Sequence, residues 1–139
     1  MSPPTSKVLS WSLALAAAMP FAVAVGAEVT AASPEEVRGR LAWAPERCTS
    51  GGTLHGGAIM ALADTLGAIC AFLNLPPGAG TSTIESKTNF FAPVRGGHVE
   101  GVTHPLHVGR RTIVLQTDVR DASGRRVALV TQTQAVIVD

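Results

Sequence analysis

The run Leu54-His-Gly-Gly-Ala-Ile-Met-Ala-Leu-Ala-Asp-Thr-Leu-Gly-Ala-Ile-Cys-Ala-Phe-Leu73 decides the fold. From Ala58 to Leu73 it predicts one helix of about four turns, apolar on every side. A helix without a polar face belongs in a core, wrapped by other structure. Asp64 is the only residue in that helix charged at neutral pH. A carboxylate there has to be hydrogen-bonded, paired or kept protonated, and groups so perturbed concentrate at functional sites. The competing reading is structural: an Asp bonded to a neighbouring strand or to a partner chain.

The start of the same helix carries a second signal. Gly56 and Gly57 have no side chains, so a substrate oxygen can approach the main chain closely. The first turn of a helix presents N–H groups without internal partners and the positive end of the dipole, which suits an oxyanion developing from a carbonyl. A glycine pair that simply starts a helix is the plain alternative. Gly56 and Asp64 lie eight residues apart, a helical rise of roughly 12 Å, so one carbonyl cannot touch both. If both act on one bond, the second group comes from another copy of the helix across a two-fold axis. That predicts a dimer with two equivalent sites.

Composition narrows the classes. At 139 residues the chain is read as a single domain, residues 1–139, large enough for its own core. It is 46% hydrophobic and 15% charged, which excludes disorder and points to apolar surface buried in an oligomer. A net charge of +1, few aromatics and no Tyr argue against a nucleic-acid or anionic-membrane partner. The cysteines, Cys48 and Cys70, make no metal or disulfide framework.

Outward from the central run, the N-terminal stretch from Lys7 to Ala27 has the apolar, small-residue character of a secretory signal. Pro20 interrupts it, and the favoured reading is a helical extension ending at Met19, then a hairpin of Phe21 to Thr30 and Val37 to Trp43. The apolar run is too short and interrupted for a membrane span. After the central helix, Asn74 to Gly80 is a break. Four strands follow, at Thr81 to Phe90, His98 to His107, Thr112 to Asp121 and Arg126 to Val138. In the first, Thr81, Thr83, Glu85, Lys87 and Asn89 alternate with Ser82, Ile84, Ser86, Thr88 and Phe90. The expected fold is α+β: an antiparallel sheet of about six strands around one central buried helix.

These residues resemble a known family. Leu54-His-Gly-Gly with Leu62-Ala-Asp64, Thr83-Ile-Glu-Ser-Lys-Thr-Asn-Phe90-x-x-Pro93, Gly109-Arg110, Asp121-x-x-Gly-Arg125 and Gln132-Thr133 are similar to the PaaI-like hotdog-fold acyl-CoA thioesterases. The resemblance runs from about Met19 to the C-terminus. It implies the hotdog fold, self-association as a dimer or dimer of dimers, and hydrolysis of a coenzyme A thioester to a carboxylate and free thiol. Coenzyme A is then part of the substrate, and no separate cofactor or metal is implied.

By the same resemblance, the Gly56 amide bonds the thioester carbonyl from one subunit and Asp64 of the other is nucleophile or general base. Thr83 takes the place of a hydroxyl that orients water or the acid, and His55 shapes the helix start. Relatives often carry Asn or Gln six residues before the His; here Thr49 stands there, with a shorter reach. The phosphates of coenzyme A call for cations. His107, Val108, Gly109, Arg110, Arg111 and Thr112 match the segment that grips the nucleotide and pantetheine, and Arg95 is a further candidate. Arg125 and Arg126 read as a solvated turn.

Other chemistries lack their residues. There is no G-x-S-x-G elbow, no P-loop and no G-x-G-x-x-G fingerprint. His104 and His107, three apart in a strand, are expected to point to opposite faces. The reading is a cytoplasmic, homotetrameric or dimeric thioesterase acting on an acyl- or aryl-CoA. The rivals are a non-catalytic acyl-CoA binding module on the same fold, kept open by Thr49, and a hydratase, which would need a His–Asp pair not seen here.

Overall fold

The computed structural model of the chain describes residues 14, 15 and 17–138. In chain order it has α1 (Pro20–Val25), β1 (Glu28–Ala32), β2 (Val37–Ala42), a 3-10 turn (Pro45–Arg47), α2 (Gly56–Leu73), β3 (Gly80–Phe90), β4 (His98–Val108), β5 (Thr112–Asp121) and β6 (Arg126–Ile137). The six strands make one sheet, β1-β2-β4-β5-β6-β3, antiparallel at every pairing. The helix α2 contacts all six. This is the expected α+β architecture.

The helix-facing side of the sheet follows from period-two alternation. On β5, Ile113, Leu115, Thr117 and Val119 are buried while their neighbours are not. Their partners on β6 are Gln134, Gln132, Val130 and Ala128, so that row shares the same face. Against it α2 buries Ala58, Ile59, Leu62, Ala63, Leu66 and Cys70, among others. The seat is shaped by a glycine pair. Gly39 of β2 and Gly101 of β4 are direct cross-strand partners, and Leu66 reaches the space both leave. A Cβ on Gly39 would meet the Glu28 carbonyl oxygen at 2.6 Å and Leu66 Cδ2 at 2.7 Å; one on Gly101 would meet Leu66 Cδ1 at 2.8 Å.

Several expectations need correction. The helix is not wrapped on every side: Gly57, Met60, Asp64 and Phe72 form an exposed stripe on α2, because the sheet covers one side of the helical cylinder. The helix also begins at Gly56, two residues earlier than expected. The segment Phe21 to Thr30 is not one strand. Pro20 opens α1 at its first turn, and Gly26, at φ 93, closes it in the left-handed conformation, its N–H bonding the Ala22 and Val23 carbonyls. Only Glu28–Ala32 pairs with β2 as a hairpin strand. Residues 14, 15, 17 and 18 are helical, as expected for the N-terminal extension; its earlier part lies outside the described residues.

Two bulges overrule simple alternation. On β3 the register shifts between Thr83 and Glu85, so Thr83 pairs with Gln134 and Ser86 with Gln132. Thr83 therefore shares the helix-facing side with Ser86 and Thr88, not with Glu85. On β4 the shift between Pro105 and His107 pairs His104 with Gln116 and His107 with Val114. Those partners are two apart, so His104 and His107 share the outer face, contrary to the expectation of opposite faces. His104 Nε2 lies 3.5 Å from Glu36.

The glycine seat predicts an order of damage. Gly101→Ala should lower stability by about 1–3 kcal/mol through overpacking against a flexible Leu side chain. Gly39→Ala should be worse, since its obstacle includes a backbone carbonyl. Urea unfolding midpoints check this; an equal or milder loss at Gly39 contradicts it.

Candidate active site

The start of α2 is held from three directions. The Leu54 N–H bonds the Val94 carbonyl (2.8 Å), and the His55 N–H bonds the Arg47 carbonyl (2.8 Å). The loop between Cys48 and Leu54, which form an isolated bridge, turns through Gly51 and Gly52 at φ 83 and 75, where side chains are disfavoured. His55 is the N-cap. Its Nδ1 accepts from the Gly57 N–H at 2.8 Å. In the neutral ring that leaves the proton on Nε2.

That bond separates the two glycines. The Gly57 N–H is occupied by His55, whereas the Gly56 N–H has no hydrogen-bond partner among the described residues. Gly56 lines a cavity of about 320 Å³ together with Thr49, Ile59, Phe90, Phe91 and Pro93. The Phe90 ring packs on it: a Cβ at Gly56 would meet Phe90 Cζ at 3.1 Å. Thr49 is exposed at the rim and fixed by its N–H bond to the Thr53 carbonyl (2.8 Å). His55 and Gly57 face a separate cavity of about 520 Å³ with Phe21, Arg47 and Cys48. Cys70, on the buried face, is inert core: burial, then the Glu35 charge, pushes its thiol up to about 11.

Asp64 lies elsewhere in the chain. It sits on the exposed stripe of α2, about 12 Å along the axis from Gly56. No hydrogen bond or ion pair reaches it among the described residues. Partial burial nevertheless desolvates its carboxyl and raises its pKa above the usual range. Thr83, turned inward by its bulge, accepts a bond from Gln134 Nε2 at 2.7 Å.

The cations divide between the two ends of the sheet. Arg95 follows Phe90 and Pro93, on the side of Gly56, and is exposed. His107 to Thr112 form the β4–β5 turn, closed by the Gly109 N–H to Thr112 carbonyl bond (2.8 Å), with Arg110 and Arg111 exposed. Thr112 pairs with Ala135, which is opposite Ser82, whereas Gly56 touches Phe90 at the other end of β3. The intervening strand residues rise by about 25–30 Å. One chain therefore does not bring the Arg110–Arg111 turn to Gly56. Arg125 and Arg126 are committed locally, Arg125 to Asp121 and the Pro93 carbonyl, Arg126 to Asp118. Burial pushes Asp118 up, but the bonds from Arg126 and Arg120 outweigh it and hold the carboxyl below its usual range.

Phe90 and Phe91 escaped the residue-by-residue reading, although Phe90-x-x-Pro93 belongs to the motif. Phe91 is 58% exposed beside the Gly56 cavity.

A six-stranded antiparallel sheet that cradles one main helix is the hotdog fold. The Thioesterase superfamily matches residues 51–128, more than half of the chain, and the chain belongs to that family, in its PaaI-like hotdog branch. The chain is 39% identical over 75 residues to the proofreading thioesterase EntH of Cronobacter sakazakii, covering 54% of this chain and 55% of that one. It is 34% identical over 86 residues to the 1,4-dihydroxy-2-naphthoyl-CoA hydrolase of Escherichia coli, covering 62% and 63%. The matched stretch thus spans less than two thirds of either relative. Among solved structures, a mutant of the phenylacetic acid degradation protein PaaI from Thermus thermophilus superposes with a TM-score of 0.77 at 28% identity, over 84% of this chain and 97% of that one.

The cap bond sets a measurable expectation. His55→Ala removes the acceptor for the Gly57 N–H and should lower stability by about 0.5–2 kcal/mol, read by thermal unfolding. An unchanged melt would mean that the bond does not hold the helix start.

Proposed function

We propose that the chain hydrolyses the coenzyme A thioester of an acyl or aryl acid. The observation that carries this reading is the Gly56 N–H: the one first-turn glycine donor left free by His55, opening into an aromatic-lined cavity. A thioester carbonyl accepts from it, and charge developing on that oxygen meets the positive end of α2. Asp64 supplies the second group, from a neighbouring copy, as nucleophile or general base. As a base it takes a proton from water, the water oxygen bonds the carbonyl carbon, the C–S bond breaks, and the proton passes from Asp64 to the leaving sulfur to give the thiol. Thr83 orients the water or the acid from the adjacent strand.

Two separations support a two-copy site. Gly56 and Asp64 are about 12 Å apart on one helix, and the Arg110–Arg111 turn is at the far end of β3 from Gly56. The edge strand β3 has an unpaired side, and a second copy added there antiparallel reverses the ends of the sheet. Arg110, Arg111, His107 and Arg95 then serve the coenzyme's phosphates and pantetheine. The name of the naphthoyl-CoA hydrolase relative supports a CoA thioester substrate. The proposed setting is cytoplasmic, as a dimer or dimer of dimers.

Free-thiol release from short-chain, long-chain and aromatic CoA thioesters tests the reading. Asp64→Asn should reduce kcat/KM by about a hundredfold or more. Equal or absent release by the wild type and the variant, with the fold intact, would leave a binding module in its place. The raised pKa adds a sign: the carboxylate is the working form, so activity rises with pH through a limb above about 3.9, the ordinary Asp value. An acid limb at or below that value would mean that burial does not set the Asp64 pKa in the assembled site.

A further inference from the structure

Beyond Asp64 the face of α2 that carries it continues through Ala68 and Phe72, four and eight residues on. Those positions lie about 6 and 12 Å further along the axis. Ala68 and Phe72 are also the floor of a cavity of about 320 Å³. One wall of that cavity is Thr81, at the start of the edge strand β3, and the other is the N-terminal helical segment. The cavity therefore lies on the Asp64 stripe itself, one turn nearer the C-terminus of α2.

The N-terminal segment is fixed on one side and open on the other. Leu15 is 5% exposed and belongs to the core, Met19 packs against that core, and the Met19 N–H bonds the Leu15 carbonyl (2.7 Å). Ala14 and Ala18, one turn apart and exposed, line the cavity with methyl groups alone. Among the described residues, Thr81 is the one polar side chain in the lining. Its hydroxyl is already committed, donating to the Ala135 carbonyl (2.8 Å) and to Gln134 Oε1 (3.1 Å). Walls of this kind give water or a polar ligand no partner, whereas hydrocarbon gains by leaving water for them.

We propose that this cavity seats the far part of an alkyl acyl chain, and that Ala14, Ala18 and Phe72 set the longest chain that fits. The inference rests on the thioesterase reading above: the thioester carbonyl stands beside Asp64, and the chain runs from there along the stripe. An extended chain advances about 1.2 Å per bond, so roughly carbons 5 to 10 pass over Ala68 and Phe72. The N-terminal segment is then a specificity-determining element, since its two alanines leave the room that the chain occupies.

The test is thiol release from saturated straight-chain CoA thioesters of four, six, eight, ten, twelve and sixteen carbons. For the wild type, kcat/KM should rise by about fourfold per methylene from six to ten carbons, as expected for apolar burial, and stop rising beyond. Ala18→Trp, which fills the cavity from the N-terminal segment, should lower the decanoyl-to-butanoyl ratio of kcat/KM by tenfold or more. Ala14→Trp serves if that variant does not fold. Phe72→Ala, which lengthens the floor, should move the end of the rise to twelve carbons or more. A flat profile would give the cavity to another occupant, such as a second copy, and would overturn the proposal. A profile that no variant moves, one that filling and lengthening move in the same direction, or release from aromatic thioesters alone would also overturn it. Each of these leaves the thioesterase reading standing. Release from no thioester by the wild type would overturn both.

Discussion

Leu66 sits where Gly39 and Gly101 leave room across two adjacent strands, and the placement of α2 depends on that fit. With the helix seated there, its N-terminus meets Phe90 at one end of the edge strand and its C-terminal half meets Thr81 at the other. The buried face is then fully occupied by sheet contacts. What remains uncovered is the stripe of Gly57, Met60, Asp64 and Phe72, so the same packing that makes the core also leaves the acid outside it.

Electrostatics at the two ends of the first helical turns follow from single bonds. His55 takes the Gly57 donor, which leaves the Gly56 donor for a ligand. Asp64 has no hydrogen bond or ion pair among the described residues, and partial burial raises its pKa. An unpaired donor and an uneasy carboxylate on one helix, too far apart to share a bond, fit a site completed by a second copy.

Much of this was legible in the residues. The apolar run over Ala58 to Leu73, charged only at Asp64, marked the core helix, and the break at Asn74 to Gly80 led into strands that form nearly where expected. The failures have physical causes. Around Pro20 the apolar run has no period, so the chain reads equally as strand or helix, and the Pro and Gly26 at its ends decide for helix. The bulges after Thr83 and Pro105 insert one residue each, which no alternation count detects. The apolar cavity over Ala68 and Phe72 is invisible in sequence, since only the packing of the N-terminal segment beside α2 shows it.

The central claim is that each reaction centre uses Gly56 of one copy and Asp64 of another. Subunit mixing tests it directly. An Asp64→Asn chain and a Gly56→Val chain, whose side chain would press on Phe90, are each inactive alone and are then co-expressed with separate tags and purified as the mixed species. The account predicts that the mixed dimer regains thiol release, because one of its two sites holds an intact Gly56 and an intact Asp64. A mixed dimer as inactive as either parent would contradict it and place both groups at a site within one chain.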